Sequence, residues 1–304
     1  MTPLQQYIAE EIATDHADGI LDRREALRRL GMVGLGAAAA SALLAACSSN
    51  QSSSQAHSTT ATASSAAPAA GPPGTAGALA STPITFPGPQ GRTLRAAWSA
   101  APSPRGGVLV IHENTGLTDF IRSVTGRFAG IGYSALAVDL LSEEGGTATF
   151  SEPAAATAAL AKIPQDRFVA DLQAGFTELG RRVPDKKLGV TGFCFGGGLT
   201  WMMLTAGTPN VAAATPFYGP FPQGGNLSGT KAAVLAIYGG QDARVGATRP
   251  AAEAAMRQAG LTHEVYIAPG ADHAFFNDTG ARYNATDAAE AWKRVTAWYA
   301  KYLG

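Results

Sequence analysis

From residue 84 onward the sequence alternates short β-rich apolar runs with amphipathic stretches, and few architectures accept that alternation. Gly107–Glu113 (GVLVIHE) reads as a strand buried on both faces. Phe168, Leu172, Phe176 and Leu179 recur at helical spacing and predict a helix over 165–182. By the same reasoning strands are expected at Thr93–Ala100, Ser134–Asp139, Leu188–Phe193, Val211–Phe217, Val234–Tyr238 and His263–Ile267. Helices are expected at Leu117–Gly130, 153–162, Gly197–Thr205, 248–259 and Thr286–Tyr302. Repeated strand–helix units predict the α/β class, a mainly parallel sheet covered by helices on both faces, in one domain over 83–304.

The totals exclude several functions. With 23 basic and 23 acidic side chains the formal net charge is zero, so nothing points to nucleic acid. Cys47 and Cys194 are the only cysteines, too few for a disulfide scaffold or a Cys-rich zinc site. The five histidines show no metal-ligand spacing. No metal and no cofactor is expected.

Residues 1–46 read as an export address. Arg23-Arg24 and Arg28-Arg29 precede a weakly apolar, uncharged run of 17 residues, Leu30 to Ala46. Arg23-Arg24 resembles a twin-arginine signal, with the large apolar residue that follows such pairs arriving only at Leu27. Leu44-Ala45-Ala46-Cys47 resembles a bacterial lipobox. On that reading Cys47 is acylated, becomes the first mature residue and holds the protein at the extracytoplasmic face of the cell membrane. An uncleaved anchor helix with a chance cysteine is the alternative. Between Ser48 and Ala80, 28 of 33 residues are Ala, Ser, Thr, Gly or Pro and none is charged. Such a stretch has too little apolar side chain to offset the entropy of ordering it. A flexible tether is expected over 47–82, with order beginning near Pro83.

The segment that carries chemistry is Gly192-Phe193-Cys194-Phe195-Gly196-Gly197, between a predicted strand and a predicted helix. It fits a nucleophile elbow with cysteine as the nucleophile. Side chains two residues either side of the nucleophile would collide, which calls for Gly192 and Gly196. A helix N-terminus behind Cys194 favours thiolate over thiol. The order G-x-x-x-G-G does not fit a dinucleotide-binding loop. Two partners follow past later strands: Asp242 in Tyr238-Gly239-Gly240-Gln241-Asp242, and His273 in Gly270-Ala271-Asp272-His273. His273 would accept the thiol proton and Asp242 would fix its tautomer. Asp272 is the rival acid, although neighbouring side chains on an extended chain point to opposite faces. His263, inside a predicted strand, reads as structural, and a buried structural cysteine is the bland reading of Cys194.

Together with Val110-Ile111-His112-Glu113-Asn114, Gly116-Leu117, Ile121-Arg122, Gly132–Leu140 and Phe217-Tyr218-Gly219, these segments resemble the dienelactone hydrolase (carboxymethylenebutenolidase) family over roughly residues 84–303. The resemblance implies an α/β-hydrolase fold and hydrolysis of a small ester or lactone. It implies that Glu113 contacts the resting Cys194 and helps govern its ionisation. It also implies that the backbone N–H groups of Asn114 and Phe195 form the oxyanion hole. In the catabolic members two arginines clamp the substrate carboxylate, one of them four residues past the histidine. Here that position is Asn277, and no arginine lies between Asp139 and Arg167. Phe195, Phe217, Tyr218, Phe221, Phe275 and Phe276 place aromatic surface near the same rim.

Two other classes compete with the hydrolase reading. A thiol redox protein would want a resolving cysteine or C-x-x-C, which the sequence lacks. A non-catalytic surface-binding lipoprotein on a hydrolase fold is the other alternative, and the complete set of triad residues argues against it.

Overall fold

The apolar runs pair into one eight-stranded sheet in the computed structural model, which describes residues 1–51 and 71–304. In chain order the strands are β1 (Thr82–Pro87), β2 (Thr93–Ser99), β3 (Gly106–Ile111), β4 (Tyr133–Val138), β5 (Leu188–Phe193), β6 (Val211–Phe217), β7 (Ala233–Gly239) and β8 (His263–Ala268). The helices are α1 (Pro3–Ala17), α2 (Arg23–Val33), α3 (Ala37–Gln51), α4 (Asp119–Gly130), α5 (Pro153–Leu160), α6 (Gln165–Arg182), α7 (Phe195–Thr205), α8 (Ala243–Gly246), α9 (Arg249–Gln258) and α10 (Ala285–Tyr302). The sheet order is β1-β2-β4-β3-β5-β6-β7-β8, with β2 antiparallel to both its neighbours and every other pairing parallel. This is the mainly parallel sheet expected from the alternation, in the order that the family resemblance implies.

Burial follows the pairing. β3, β4, β5 and β7 are buried along their whole length, because helices cover both faces of the parallel part. β1 lay outside the sequence expectation. Pro83 and Pro87 make TPITFP a poor strand by composition, and prolines are tolerated there because β1 is the sheet edge. β3 ends at Ile111, two residues before the expected Glu113, so His112 and Glu113 lie past the last ladder pair.

The chain divides into two compact units, one from residues 1–70 and 150–163 and the other from 71–149 and 164–304. In the first, the stretch expected to be an export address forms α1–α3. Thr2 closes a capping box with Gln5, Asp22 caps α2, and Gly34 at φ 103° ends it. Ile8, Ile12, Ala26, Leu30 and Leu44 are buried there. α5, expected inside the hydrolase domain, groups with this unit, and Arg28 pairs with Glu25 and Glu152 at 2.7 and 2.8 Å. No helix of the described residues is long and apolar enough to cross a membrane.

Much of the tether expected over 47–82, residues 52–70, lies outside the described residues. Its end is ordered from Gly71, earlier than Pro83. Thr75–Gly77 form a 3₁₀ turn against α4, and the Leu79 N–H donates to Gly126 O at 3.0 Å. Gly126 and Gly130 leave a trough in α4: an added Cβ would lie 2.3 Å from Leu79 O and 2.0 Å from Gly77 O, respectively.

Candidate active site

The loops after β3, β5, β7 and β8 emerge on the carboxyl rim of the parallel strands, where open α/β sheets bind ligands. β5 delivers Cys194 as the cap residue of α7, at φ 57° and ψ −118°. A side chain in that region costs on the order of 1–3 kcal/mol and persists only where its surroundings impose it. They do so here: the Cys194 N–H donates to Phe217 O, and its carbonyl accepts from the Gly198 N–H, both at 3.1 Å. Glycine makes the turn possible. A Cβ on Gly192 would lie 2.0 Å from Gly196 O, and one on Gly196 would lie 2.3 Å from Ile111 O. The second figure also shows how closely the elbow presses on the end of β3.

β7 and β8 deliver the other two groups. Their loops are tied by the Gln241 N–H donating to Ala271 O at 2.9 Å. Asp242 Oδ2 lies 2.6 Å from His273 Nδ1, while Oδ1 accepts from the Val245 N–H at 2.9 Å. Burial alone would raise the Asp242 pKa. The His273 ring, Arg244 and the Val245 N–H outweigh burial and hold it below the ordinary carboxyl value. Asp272 does not reach the ring. One oxygen accepts from the His273 N–H at 2.6 Å and the other faces Arg282 at 3.8 Å. Of the two carboxylates the sequence offered, Asp242 holds the imidazole. A ring nitrogen of His273 lies within 4.8 Å of the Cys194 sulfur. Cys194, Asp242 and His273 are all buried.

A second set of polar groups adjoins these. Glu113 Oε2 accepts from Asn277 Nδ2 at 2.6 Å. Burial pushes the Tyr218 hydroxyl pKa well up, and the nearby charges of Glu113 and Cys194 push it further. Tyr218, at φ 35°, lays its ring 5.3 Å from that of His273. The aromatics expected near the rim are all buried, with Phe193, Phe217 and Phe276 packed under the site at centroid separations of 4.7–5.5 Å. His263 is away from this chemistry in β8, with Nδ1 2.8 Å from Leu261 O.

Sequence reasoning missed His112 and Arg127. His112 is fully buried between Leu140 and Glu113. Its signal was a titratable residue closing an otherwise apolar run. Arg127 is 1% exposed and pairs with Asp278 through two contacts of 2.8 and 2.9 Å. It also donates to Pro73 O at 3.3 Å, so it joins α4, the 71–79 segment and the loop after His273. Only a charged residue on the buried stripe of α4 hinted at it.

The dienelactone hydrolase family matches residues 94–303. Over 212 residues the chain is 32% identical to proteins provisionally named carboxymethylenebutenolidase from Methylorubrum extorquens and Escherichia coli. The matches cover 64% and 65% of this chain and 72% and 77% of those proteins. A crystal structure from Klebsiella pneumoniae, provisionally titled a dienelactone hydrolase, superposes with a TM-score of 0.64 at 30% identity, over 73% of this chain and all of that one. A dienelactone hydrolase-like promiscuous phosphotriesterase from metagenomic libraries shares the fold, with a TM-score of 0.66 at 23% identity over 75% of this chain and all of that one. The chain belongs to the dienelactone hydrolase family and is a hydrolase of the α/β-hydrolase fold.

Proposed function

We propose that the protein hydrolyses a small carboxylic ester or lactone, with Cys194 as nucleophile, His273 as general base and acid, and Asp242 as the carboxylate that orients it. The observation carrying this reading is the 2.6 Å contact between Asp242 Oδ2 and His273 Nδ1, beside a cysteine on a strained elbow. His273 takes the thiol proton through Nε2, because Nδ1 is committed to Asp242. The sulfur adds to the ester carbonyl, and the backbone N–H groups of Asn114 and Phe195 receive the negative oxygen. Collapse breaks the carbon–oxygen bond, and His273 returns its proton to the leaving alkoxide. Water, deprotonated by His273, then cleaves the thioester and restores the thiol. Glu113, held by Asn277, puts a negative charge near the sulfur and modulates its ionisation.

The export reading belongs to the same proposal and rests on sequence: Arg23-Arg24, the apolar run and Leu44–Cys47. Acylation at Cys47 would hold the hydrolase at the extracytoplasmic face of the membrane.

The decisive experiment is turnover of a p-nitrophenyl ester by the purified protein. Activity lost with iodoacetamide, and absent in Cys194→Ala, is the expected result. Wild-type activity in Cys194→Ala would exclude the mechanism. For the anchor, Cys47→Ser should release the protein from membranes with specific activity intact.

A further inference from the structure

The His112 ring sits between two backbone groups that leave it one choice of tautomer. The Leu140 N–H points at Nε2 from 3.2 Å, and a backbone N–H can only donate. Nε2 therefore accepts and carries no proton. Nδ1 lies 2.6 Å from Glu113 O, which can only accept, so Nδ1 carries the proton and donates it. The ring is wholly buried, and burial lowers its pKa, outweighing the opposing pull of Asp139.

The carbonyl it grips belongs to the peptide between Glu113 and Asn114. A peptide unit is planar and trans, so its C=O and N–H point in opposite directions and turn together. Fixing the Glu113 carbonyl fixes the Asn114 N–H. The Gly116 N–H reaches the same oxygen at 3.2 Å, so two donors hold that carbonyl. A hydrogen bond on the carbonyl also polarises the unit and makes its N–H a stronger donor. The elbow is packed against this stretch: a Cβ on Gly196 would lie 2.6 Å from His112 O, and the His112 and Phe195 rings are 6.3 Å apart.

We infer that His112 is a positioning residue for the oxyanion hole, holding the Glu113–Asn114 peptide so that the Asn114 N–H faces the carbonyl oxygen of a substrate attacked by Cys194. This rests on the reading of Asn114 as an oxyanion donor. Through Leu140 the ring also ties the end of β4 to the end of β3, so the donor is set by two strands. His112 touches no reacting atom.

The test uses the full chain and compares His112→Phe with His112→Asn. Phenylalanine keeps the ring volume and removes both nitrogens. An asparagine amide can place its N–H near the position of Nδ1 and restore the bond to Glu113 O. Ester turnover depends on the oxyanion hole, whereas alkylation of Cys194 by iodoacetamide does not. His112→Phe should lower kcat by about 10- to 100-fold, at or below the cost of losing an oxyanion donor outright. KM and the alkylation rate should stay close to wild type, and His112→Asn should recover most of kcat. If His112→Phe does not fold, His112→Leu replaces it with the same expectation. An unchanged kcat in the apolar variant overturns the inference, as does an asparagine variant as slow as the apolar one. So does a parallel fall in alkylation, which would mark general damage. A wild-type protein that turns over no ester would instead remove the hydrolase reading on which the inference stands.

Discussion

Asn277 donates from Nδ2 to Glu113 Oε2 across 2.6 Å, and its Oδ1 accepts from both the N–H and the hydroxyl of Thr279, at 3.0 and 2.7 Å. A flipped amide would lose the bonds to Glu113 and to the Thr279 N–H, so the group presented to Glu113 is a neutral donor in a fixed pose. Where the resemblance led one to expect an arginine, the site offers no charge at this position.

Substrate preference should follow from that contact. A substrate carboxylate beside Glu113 and Asp242 needs a cationic partner in a partly dry site, and Asn277 cannot supply one. Neutral esters or lactones should therefore outperform anionic analogues of equal size. Asn277→Arg should shift the ratio of kcat/KM toward the anionic member by about tenfold or more, since a hydrogen bond to a charged group contributes about 1.5–3 kcal/mol. A wild-type preference of tenfold for the anion would overturn the prediction.

Asp242→Asn should nearly abolish turnover while leaving the protein folded. Asparagine still accepts from the Val245 N–H, but the atom facing His273 Nδ1 can become an N–H donor, which favours the wrong tautomer. By analogy with the serine triad, kcat should fall on the order of 10⁴. Steady-state kinetics on the variant, with circular dichroism to confirm folding, would check this.

Stability should decline as the medium is acidified, in two windows. His112 is depressed below 6.5 by burial, so below that pH the unfolded chain takes up a proton that the folded chain refuses, and stability falls. The folded-state pKa of Asp242 is held below 3.8, so its contribution is present above that pH and is lost on further acidification. Urea midpoints measured from pH 8 to 3 should decrease in both windows. His112→Phe should flatten the first window and leave the second.

Gly130→Ala should destabilise the protein although alanine is the better helix former by about 1 kcal/mol. The new methyl would meet Gly77 O at 2.0 Å and displace the 71–79 segment from α4. That displacement would remove the Pro73 carbonyl from Arg127, whose pairing with Asp278 supports the loop after His273. A lower Tm and faster proteolysis within 71–79 are expected, and a raised Tm would contradict the packing.

The α/β class, all six strands past β2 within a residue or two, and the segments that carry Cys194, Asp242 and His273 were legible in the sequence. Buried strands are largely apolar along their length, and the tight turn at Cys194 leaves room only for glycine at positions 192 and 196, so both write themselves into local composition. What the sequence could not determine lay in contacts between distant segments. The sequence favours Asp242 over Asp272 only through the opposed directions of neighbouring side chains; it is the β7 and β8 loops that turn Asp242 toward the imidazole and Asp272 toward the His273 backbone and Arg282. Asn277 reads as a missing charge in sequence, whereas 164 residues separate it from the carboxylate it holds. His112 looked like one more residue of a strand until β3 ended before it and Leu140 arrived at its second nitrogen. Hydrogen-bond partners are chosen by geometry over a few ångströms, and only the folded chain brings residues that far apart in sequence within that range.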